Sequence, residues 1–554
     1  MSALLALALL PTAPYAHALQ HQHGDPADTS SGWRMPMRPD MPDMMLPGMA
    51  DYRPPLTPFR PGAGVDPASL AEARPNEMVH LADGDTLVLA SGLVRRTIDG
   101  KSFVMYGFNG QYPGPLIRVD ANTTVVVAFV NGVELPSTIH WHGVRLDNRF
   151  DGVPGVTQEL VAPGERFVYR VHFPDPGIYW YHPHHREDIQ QELGLYGNML
   201  VDSPDQAFWG PAHRDEILML DDLLVQDGEI APFGLEASNH TLMGRFGNVM
   251  LVNGEPEYRL RIRRGEVVRF FFTNVSNTRM FNLGFGGAPI KVVGGDIGRI
   301  EREAFAPGVV IAPAERYVVA VRFDRAGRFP VVNRVQAVDH WLGEFYPTAD
   351  TLGWVTVGEE AATPDLTEAF ERLRHNEDVT TDVARYREHF DRAPDFEAVL
   401  TIHAGDLPQG VIQYMSIDTT YFPPVEWNDA MPMMNWVSNG ANTRWILRDA
   451  RSGRENMDVD WTVDRGAVVK IRLRNDAKAF HPMSHPIHLH GQRFLVVERD
   501  GVRNPHFVWK ETVLVPVGTT VDLLVDASNP GRWMLHCHIA EHLEAGMKLL
   551  LTVR

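Results

Sequence analysis

From residue 76 onward, apolar and polar positions alternate through short β-branched runs separated by Gly and Pro. Period-2 alternation broken by such turns predicts strands. One stretch of this pattern occurs three times, which marks an internal repeat. Its first half reads Ile117-Arg118-Val119-Asp120-Ala121-Asn122-Thr123-Thr124-Val125, then Leu260-Arg261-Ile262-Arg263-Arg264-Gly265-Glu266-Val267-Val268, then Trp461-Thr462-Val463-Asp464-Arg465-Gly466-Ala467-Val468-Val469. Its second half opens as Ala162-Pro163-Gly164-Glu165-Arg166, Ala312-Pro313-Ala314-Glu315-Arg316 and Val515-Pro516-Val517-Gly518-Thr519. Three copies of one all-β unit predict three similar β-sandwiches of roughly 130–160 residues.

The pattern breaks in two places. Over 361–394 the spacing turns helical: Leu366, Ala369, Phe370 and Leu373 fit one helix face, and Val383, Tyr386 and Phe390 another. Thr363-Pro364-Asp365 is a plausible start signal. This stretch is expected to be a linker lying on the surface. Residues 19–75 have little regular pattern and are dense in Pro and Met, with Met35, Met37, Met41, Met44, Met45 and Met49 interleaved with prolines that prevent a helix. Thioethers favour Cu(I), so this arm reads as a collector of that ion. It also reads as an extended surface arm using Met as adaptable filler, which is the preferred reading. The expected plan is a signal segment over 1–18, the arm over 19–75, and sandwiches over 76–205, 206–360 and 395–554, with the helical linker at 361–394.

Composition narrows the function classes. A net charge of −19 disfavours nucleic acid and anionic membrane as partners. The apolar run at residues 3–10 followed by Ala16-His17-Ala18 looks like the end of a secretory signal, which points to a periplasmic or secreted protein. The usual basic segment and a twin-arginine are both missing, so either the true start lies upstream or export takes another route. No other run approaches the ~18 apolar residues that span a bilayer. One cysteine among 554 residues excludes an intramolecular disulfide framework.

That cysteine carries the chemistry. It sits in His536-Cys537-His538, with His542 and Met547 following. Thiolate, imidazole and a weak axial thioether form the ligand set of a blue-copper electron-transfer site. Neighbours in a strand point to opposite faces, so Cys537 can serve one metal while His536 and His538 reach others. Three further H-x-H pairs occur: His140/His142 and His182/His184 in the first repeat, and His488/His490 in the third. The second repeat has Arg279-Met280-Phe281-Asn282 and Pro330-Val331-Val332-Asn333 at the matching places, which makes it a spacer. The eight histidines converge only if the first and third sandwiches touch. They exceed what one mononuclear centre needs and suffice for three coppers. His485, Cys537, His542 and Met547 then complete the mononuclear site. A copper store or binding scaffold would lack part of this set, and a two-domain nitrite reductase would lack the third repeat.

Over residues 76–554 the chain resembles the three-domain multicopper oxidases of the laccase-like group. The shared motifs are H-W-H-G at 140–143, W-Y-H-P-H at 180–184, H-P-I-H-L-H-G at 485–491 and H-C-H-I-A-E-H-L-E-A-G-M at 536–547. The resemblance implies three cupredoxin-like Greek-key sandwiches and four copper ions. It implies type 1 copper on His485, Cys537, His542 and Met547, and type 2 on His140 and His488. The type 3 pair falls to His142, His182, His184, His490, His536 and His538. His185 and His481 are not ligands in this scheme. It implies electron entry at an exposed edge of His542 or His485, relay through Cys537, and reduction of O2 to water. Asp151 stands at the spacing of a family proton-relay carboxylate, and a plain turn role in Phe150-Asp151-Gly152 stays open beside it. Several bacterial relatives carry an acid directly after the last type 1 histidine; here Leu543 fills that place, with Glu544 next. Met547 implies a lower type 1 potential than Leu or Phe would give, which favours easily oxidised donors.

Two donor classes remain: phenols or aromatic amines, as for a laccase, and reduced metal ions, Cu(I), Fe(II) or Mn(II), as for a copper-tolerance metallo-oxidase. Met483 lies two residues before His485, where copper-oxidising relatives place a metal-contacting Met, and His481 stands where they have a carboxylate. Met431, Met433 and Met434 offer further thioethers or core packing. Laccase-like activity serving copper tolerance is the preferred reading, in a monomer.

Overall fold

The structure is a computed structural model, and it describes residues 56–339, 344–407, 425–427 and 433–554. The signal-like run, the methionines at 35–49 and Met431 lie outside these residues. Among the described residues, no helix is long and apolar enough to cross a membrane.

The predicted alternation becomes burial alternation. In the strand Thr123–Val130, every other residue is buried and those between are half-buried, as period-2 side-chain geometry requires. The chain forms three β-sandwiches of cupredoxin type, and their topology repeats. In the first, the parallel pair Leu116–Asp120 and Gly197–Asp202 lies beside Gly177–His182, which pairs with His140–His142. In the third, the parallel pair Asp460–Val463 and Lys548–Val553 lies beside Gly531–Cys537, which pairs with His485–Leu489. The second has the same order: Tyr258–Arg264, Glu344–Ala361, Gly327–Asp339 and Phe281–Phe285. Its Asn282 N–H donates to Asn333 Oδ1 at 2.8 Å, a structural contact where the other copies bring histidines together.

Trp141, Trp180 and Trp533 are buried in the cores. Trp141, between His140 and His142, points to the opposite side from the two imidazoles, whereas Trp180 stacks on His182 with ring centroids 4.2 Å apart. Gly491 sits at φ +58°, and a Cβ there would fall 2.1 Å from the Trp533 ring, so only glycine lets the strand end close over that indole.

Residues 361–394 are helical in pieces. They hold two short helices, Thr367–Glu371 and Glu377–Ala384, and a 3₁₀ turn at Arg387–His389. Leu373 falls beyond the first helix and is 47% exposed, so the expected four-residue face does not exist. Nor does the segment merely lie on the surface. Val379, Val383, Tyr386 and Phe390 are buried in one core cluster with Phe507 and Trp509, and Trp509 donates its indole N–H to Asp382 at 2.7 Å. The linker is a strap packed against both the second and the third sandwich.

Candidate metal centres

Strand register brings the histidines together. His140 is directly opposite His182, and His488 directly opposite His536. Each H-x-H run projects its imidazoles to one side while Trp141, Leu489 or Cys537 points to the other. All eight histidines of the four pairs are buried. His142 and His488, from different sandwiches, stack with centroids 3.8 Å apart. His490 Nε2 lies 3.2 Å from His184 Nε2 and 3.0 Å from His536 Nε2. Ligand atoms of His142, His182 and His538 lie within 4.8 Å of one another, as do those of His184, His490 and His536, and those of His140, His142 and His488.

The outer ring nitrogens are tied down. His140 Nδ1 donates to the Asp151 carbonyl at 2.8 Å, His182 Nδ1 to that of Pro183 at 2.8 Å, His488 Nδ1 to that of Glu511 at 3.0 Å, and His536 Nδ1 to that of Cys537 at 2.9 Å. His490 Nδ1 donates to Asp151 Oδ2 at 2.9 Å. His142 is reversed: its Nε2 faces Glu511 Oε1 at 3.2 Å and Thr512 Oγ1 at 3.2 Å. The opposite nitrogens, His140 Nε2, His142 Nδ1, His182 Nε2 and His488 Nε2, are buried without a hydrogen-bond partner. A ring whose outer N–H is engaged presents its lone pair inward, which is how proteins prepare imidazole for a metal. Orphaned buried nitrogens would be a net cost without an occupant.

Burial, the largest cause, and the neighbouring rings push His142, His182, His184, His488, His490 and His536 well below the usual imidazole pKa, and burial takes His538 down to about 3. They stay neutral, as ligation requires.

The second cluster is smaller. Cys537 Sγ lies 3.5 Å from His485 Nδ1 and 3.7 Å from His542 Nδ1, and the two nitrogens are 3.3 Å apart. Met547 is buried beside them, its N–H donating to the His542 carbonyl and its own carbonyl accepting from Cys537 N–H. Burial raises the Cys537 thiol well above its usual pKa, so a cation must displace the proton. Neither imidazole has the exposed edge implied by the resemblance: His485 is 1% exposed and His542 0%. Trp445 stacks over His542 at 4.0 Å and donates its indole N–H to Thr241 O, from the second sandwich, at 2.7 Å. Short-range sequence patterns cannot foresee a cover assembled from two sandwiches.

The acidic residues are spread around the large cluster. Asp151 Oδ1 lies 3.3 Å from His140 Nδ1, while Oδ2 holds His490, so one carboxylate touches both sandwiches. Glu544 is half-buried one step further out: its Oε1 accepts from Glu187 N–H at 3.2 Å, and Glu187 Oε1 lies 3.5 Å from His184 Nδ1. Met483 is buried in the third core with Met433 and Met434. Three acids escaped the sequence reading. Glu187 and Glu511 contact ligand-type histidines, and Glu541, pushed up to about 8 by burial, bonds Thr278 of the second sandwich at 3.0 Å. Glu541 lies within the 536–547 motif and Glu187 three residues past the 180–184 motif, where proximity was the available signal; Glu511 has none.

Two mutually adjacent centres, one thiolate-imidazole and one of eight imidazoles, on a three-sandwich frame define a copper oxidoreductase. The family described as multicopper oxidase matches the chain over 93–206, 213–347 and 426–554. The chain is 26% identical over 517 residues to multicopper oxidase MmcO of Mycobacterium tuberculosis, covering 88% of this chain and 89% of that one. It is 27% identical over 493 residues to a laccase of Arthroderma benhamiae, covering 81% and 73%. A multicopper oxidase from Campylobacter jejuni described as a metallo-oxidase superposes with TM-score 0.66 at 22% identity, covering 88% of this chain and 97% of that one. The chain belongs to the multicopper oxidase family, copper-dependent oxidoreductases that use O2. The family's four copper ions, one type 1, one type 2 and two type 3, suit the donor sets described above.

Proposed function

We propose that this chain is a laccase-like oxidase taking single electrons from phenolic or aromatic-amine donors. One observation carries the reading: Cys537, in the thiolate-imidazole cluster, is bonded through the backbone to His536 and His538 of the eight-imidazole cluster. His485, Cys537, His542 and Met547 would hold type 1 copper. His140 and His488 would hold type 2, with His142, His182, His184, His490, His536 and His538 holding the type 3 pair. Copper bound there supplies four one-electron oxidations of donor coupled to reduction of O2 to water.

The chain's own residues do the rest. Cys537 gives a continuous bonded path between the clusters. The outer hydrogen bonds hold each ring so that little reorganisation accompanies electron transfer. Asp151, shared between His140 and His490, is placed to pass protons to the reduction site, with Glu544 behind Glu187 as a second acid on the opposite flank. Trp445 and Thr241 keep donors off His542, so electrons reach it across packed protein. Met483, buried in the same core as Trp445, is the substrate-side thioether of this reading. We place the sandwiches at 76–205, 206–360 and 395–554, and the protein as a periplasmic or secreted monomer.

Oxygen uptake by the copper-loaded chain, with a methoxyphenol and Cu(I) in separate runs, tests the reading. Faster turnover of the phenol, unaffected by Met483→Leu, supports it. Preferential oxidation of Cu(I), selectively reduced by Met483→Leu, makes the protein a metallo-oxidase instead. No uptake with either donor despite full loading contradicts the oxidase assignment.

A further inference from the structure

The second sandwich supplies none of the imidazoles, yet it reaches the large cluster through a buried ionic junction. Lys510-Glu511-Thr512 enters the strand Thr512–Val515 of the third sandwich. Each of the three residues is gripped by the second sandwich. Lys510 Nζ lies 3.1 Å from Asp296 Oδ2 and 3.3 Å from Glu315 Oε1. Glu511 pairs with Arg316. Thr512 N–H donates to Asp296 Oδ2 at 3.3 Å. Arg316 also donates to the Ile178 carbonyl of the first sandwich at 3.0 Å.

The same tripeptide holds two imidazoles. The Glu511 carboxylate and Thr512 hydroxyl meet His142 Nε2, each at 3.2 Å. The Glu511 carbonyl accepts from His488 Nδ1 at 3.0 Å, and Thr512 Oγ1 lies 3.2 Å from that nitrogen. His142 and His488 stack on each other. Through its carboxylate Glu511 therefore meets an imidazole of the first sandwich and a cation of the second, and through its carbonyl an imidazole of the third.

The repeat shows that this is a particular use of the second copy. Glu165 and Arg166, at the matching positions of the first copy, are exposed, whereas Glu315 and Arg316 are buried. Arg316, Glu511 and Asp296 are all 0% exposed. Charges taken fully out of water are expensive to hold, and removing one partner strands the other. Here they terminate at the rings whose inward nitrogens lack partners.

We propose that Asp296 and Arg316 of the second sandwich are positioning residues for the copper cluster, acting through Glu511 and Thr512 to set the rings of His142 and His488. This rests on the reading that those two histidines are copper ligands. The second sandwich then sets the geometry of individual ligands.

The test uses the full chain with Glu511→Leu, Glu511→Gln and, in the second sandwich, Arg316→Met. Each is titrated with copper while type 1 absorption and the electron paramagnetic resonance of the remaining ions are followed separately. The expected result is a copper affinity about 10–100-fold weaker at the imidazole cluster, with the type 3 pair losing its mutual spin coupling. Type 1 loading and colour stay unchanged, which also reports an intact third sandwich. Glu511→Gln, whose amide oxygen still accepts from His142, retains more of the cluster than Glu511→Leu. Arg316→Met, far in sequence from every imidazole, produces the same selective loss. Equal weakening of both centres, or no change in Glu511→Leu, overturns the proposal. Should Arg316→Met fail to fold, the contrast between the two Glu511 variants decides alone. An unaltered chain that loads type 1 copper but never the imidazole cluster refutes the ligand reading itself, a result distinct from any variant effect.

Discussion

Asp151 shows how much one side chain's placement depends on its neighbours. Its carbonyl accepts from His140 and its carboxylate from His490, and the next residue, Gly152, sits at φ +82°. A Cβ on Gly152 would lie 1.9 Å from the Ile139 carbonyl oxygen. Gly152→Ala therefore forces the Asp151 turn off the histidine strand. It is expected to cost at least about 2 kcal/mol from the left-handed backbone and the clash together. Thermal unfolding of the metal-free chain measures this, and an unchanged midpoint would show that the turn relaxes freely. Cys537→Ser is expected to abolish blue absorption and donor oxidation while leaving copper in the imidazole cluster, as metal analysis and optical spectra would show. Loss of all copper would mean that the two centres form only together. The histidines were legible in the sequence because H-x-H matches the strand period, and the lone cysteine marked the other centre. Glu511 was not, since it meets His142 only through folding and sits in an ordinary strand-entry sequence. The cover over His542 was hidden for the same reason: Trp445 and Thr241 belong to different sandwiches.

At the scale of elements, the repeat predicted the sheets well because alternating burial is a local property of each strand. Register followed: two opposed pairs, His140 with His182 and His488 with His536, arise from equivalent positions in equivalent antiparallel strand pairs. The linker was expected to lie on the surface because helical spacing shows which residues share a face and not what that face packs against. Phe370 packs near Phe305 while Phe390 packs near Phe507, so the segment bends between two partners. Phe390→Ala is expected to destabilise the chain by about 3–5 kcal/mol, as for a buried aromatic in a core. Chemical denaturation checks this; a loss under about 0.5 kcal/mol, the usual value for surface changes, would restore the picture of a loose connector.

At the scale of the whole molecule, the imidazole clusters couple metal content to stability. In the metal-free chain, His485 and His538 titrate near pH 3 because burial disfavours their charged forms, against 6.5 when unfolded. Between those values the unfolded chain binds protons that the folded chain does not, so stability rises with pH across this window. The metal-free protein is thus expected to be most stable above about pH 6.5 and to lose stability steadily as the pH falls toward 3. Unfolding midpoints across that range test the sign, and a flat or inverted profile would mean that the empty cluster admits water or protons. The three sandwiches also share the buried junction at Arg316 and Glu511, which ties the sandwich without clustered histidines to the two that carry them.

The central claim is that the clusters together form a complete multicopper site. Copper stoichiometry of the reconstituted, desalted chain tests it most directly. The account predicts four coppers per chain, one type 1, one type 2 and a spin-coupled pair. A saturating value of one or two, or loading that varies with the copper supplied, would contradict it and make the eight-imidazole chamber something other than an oxygen-reducing centre.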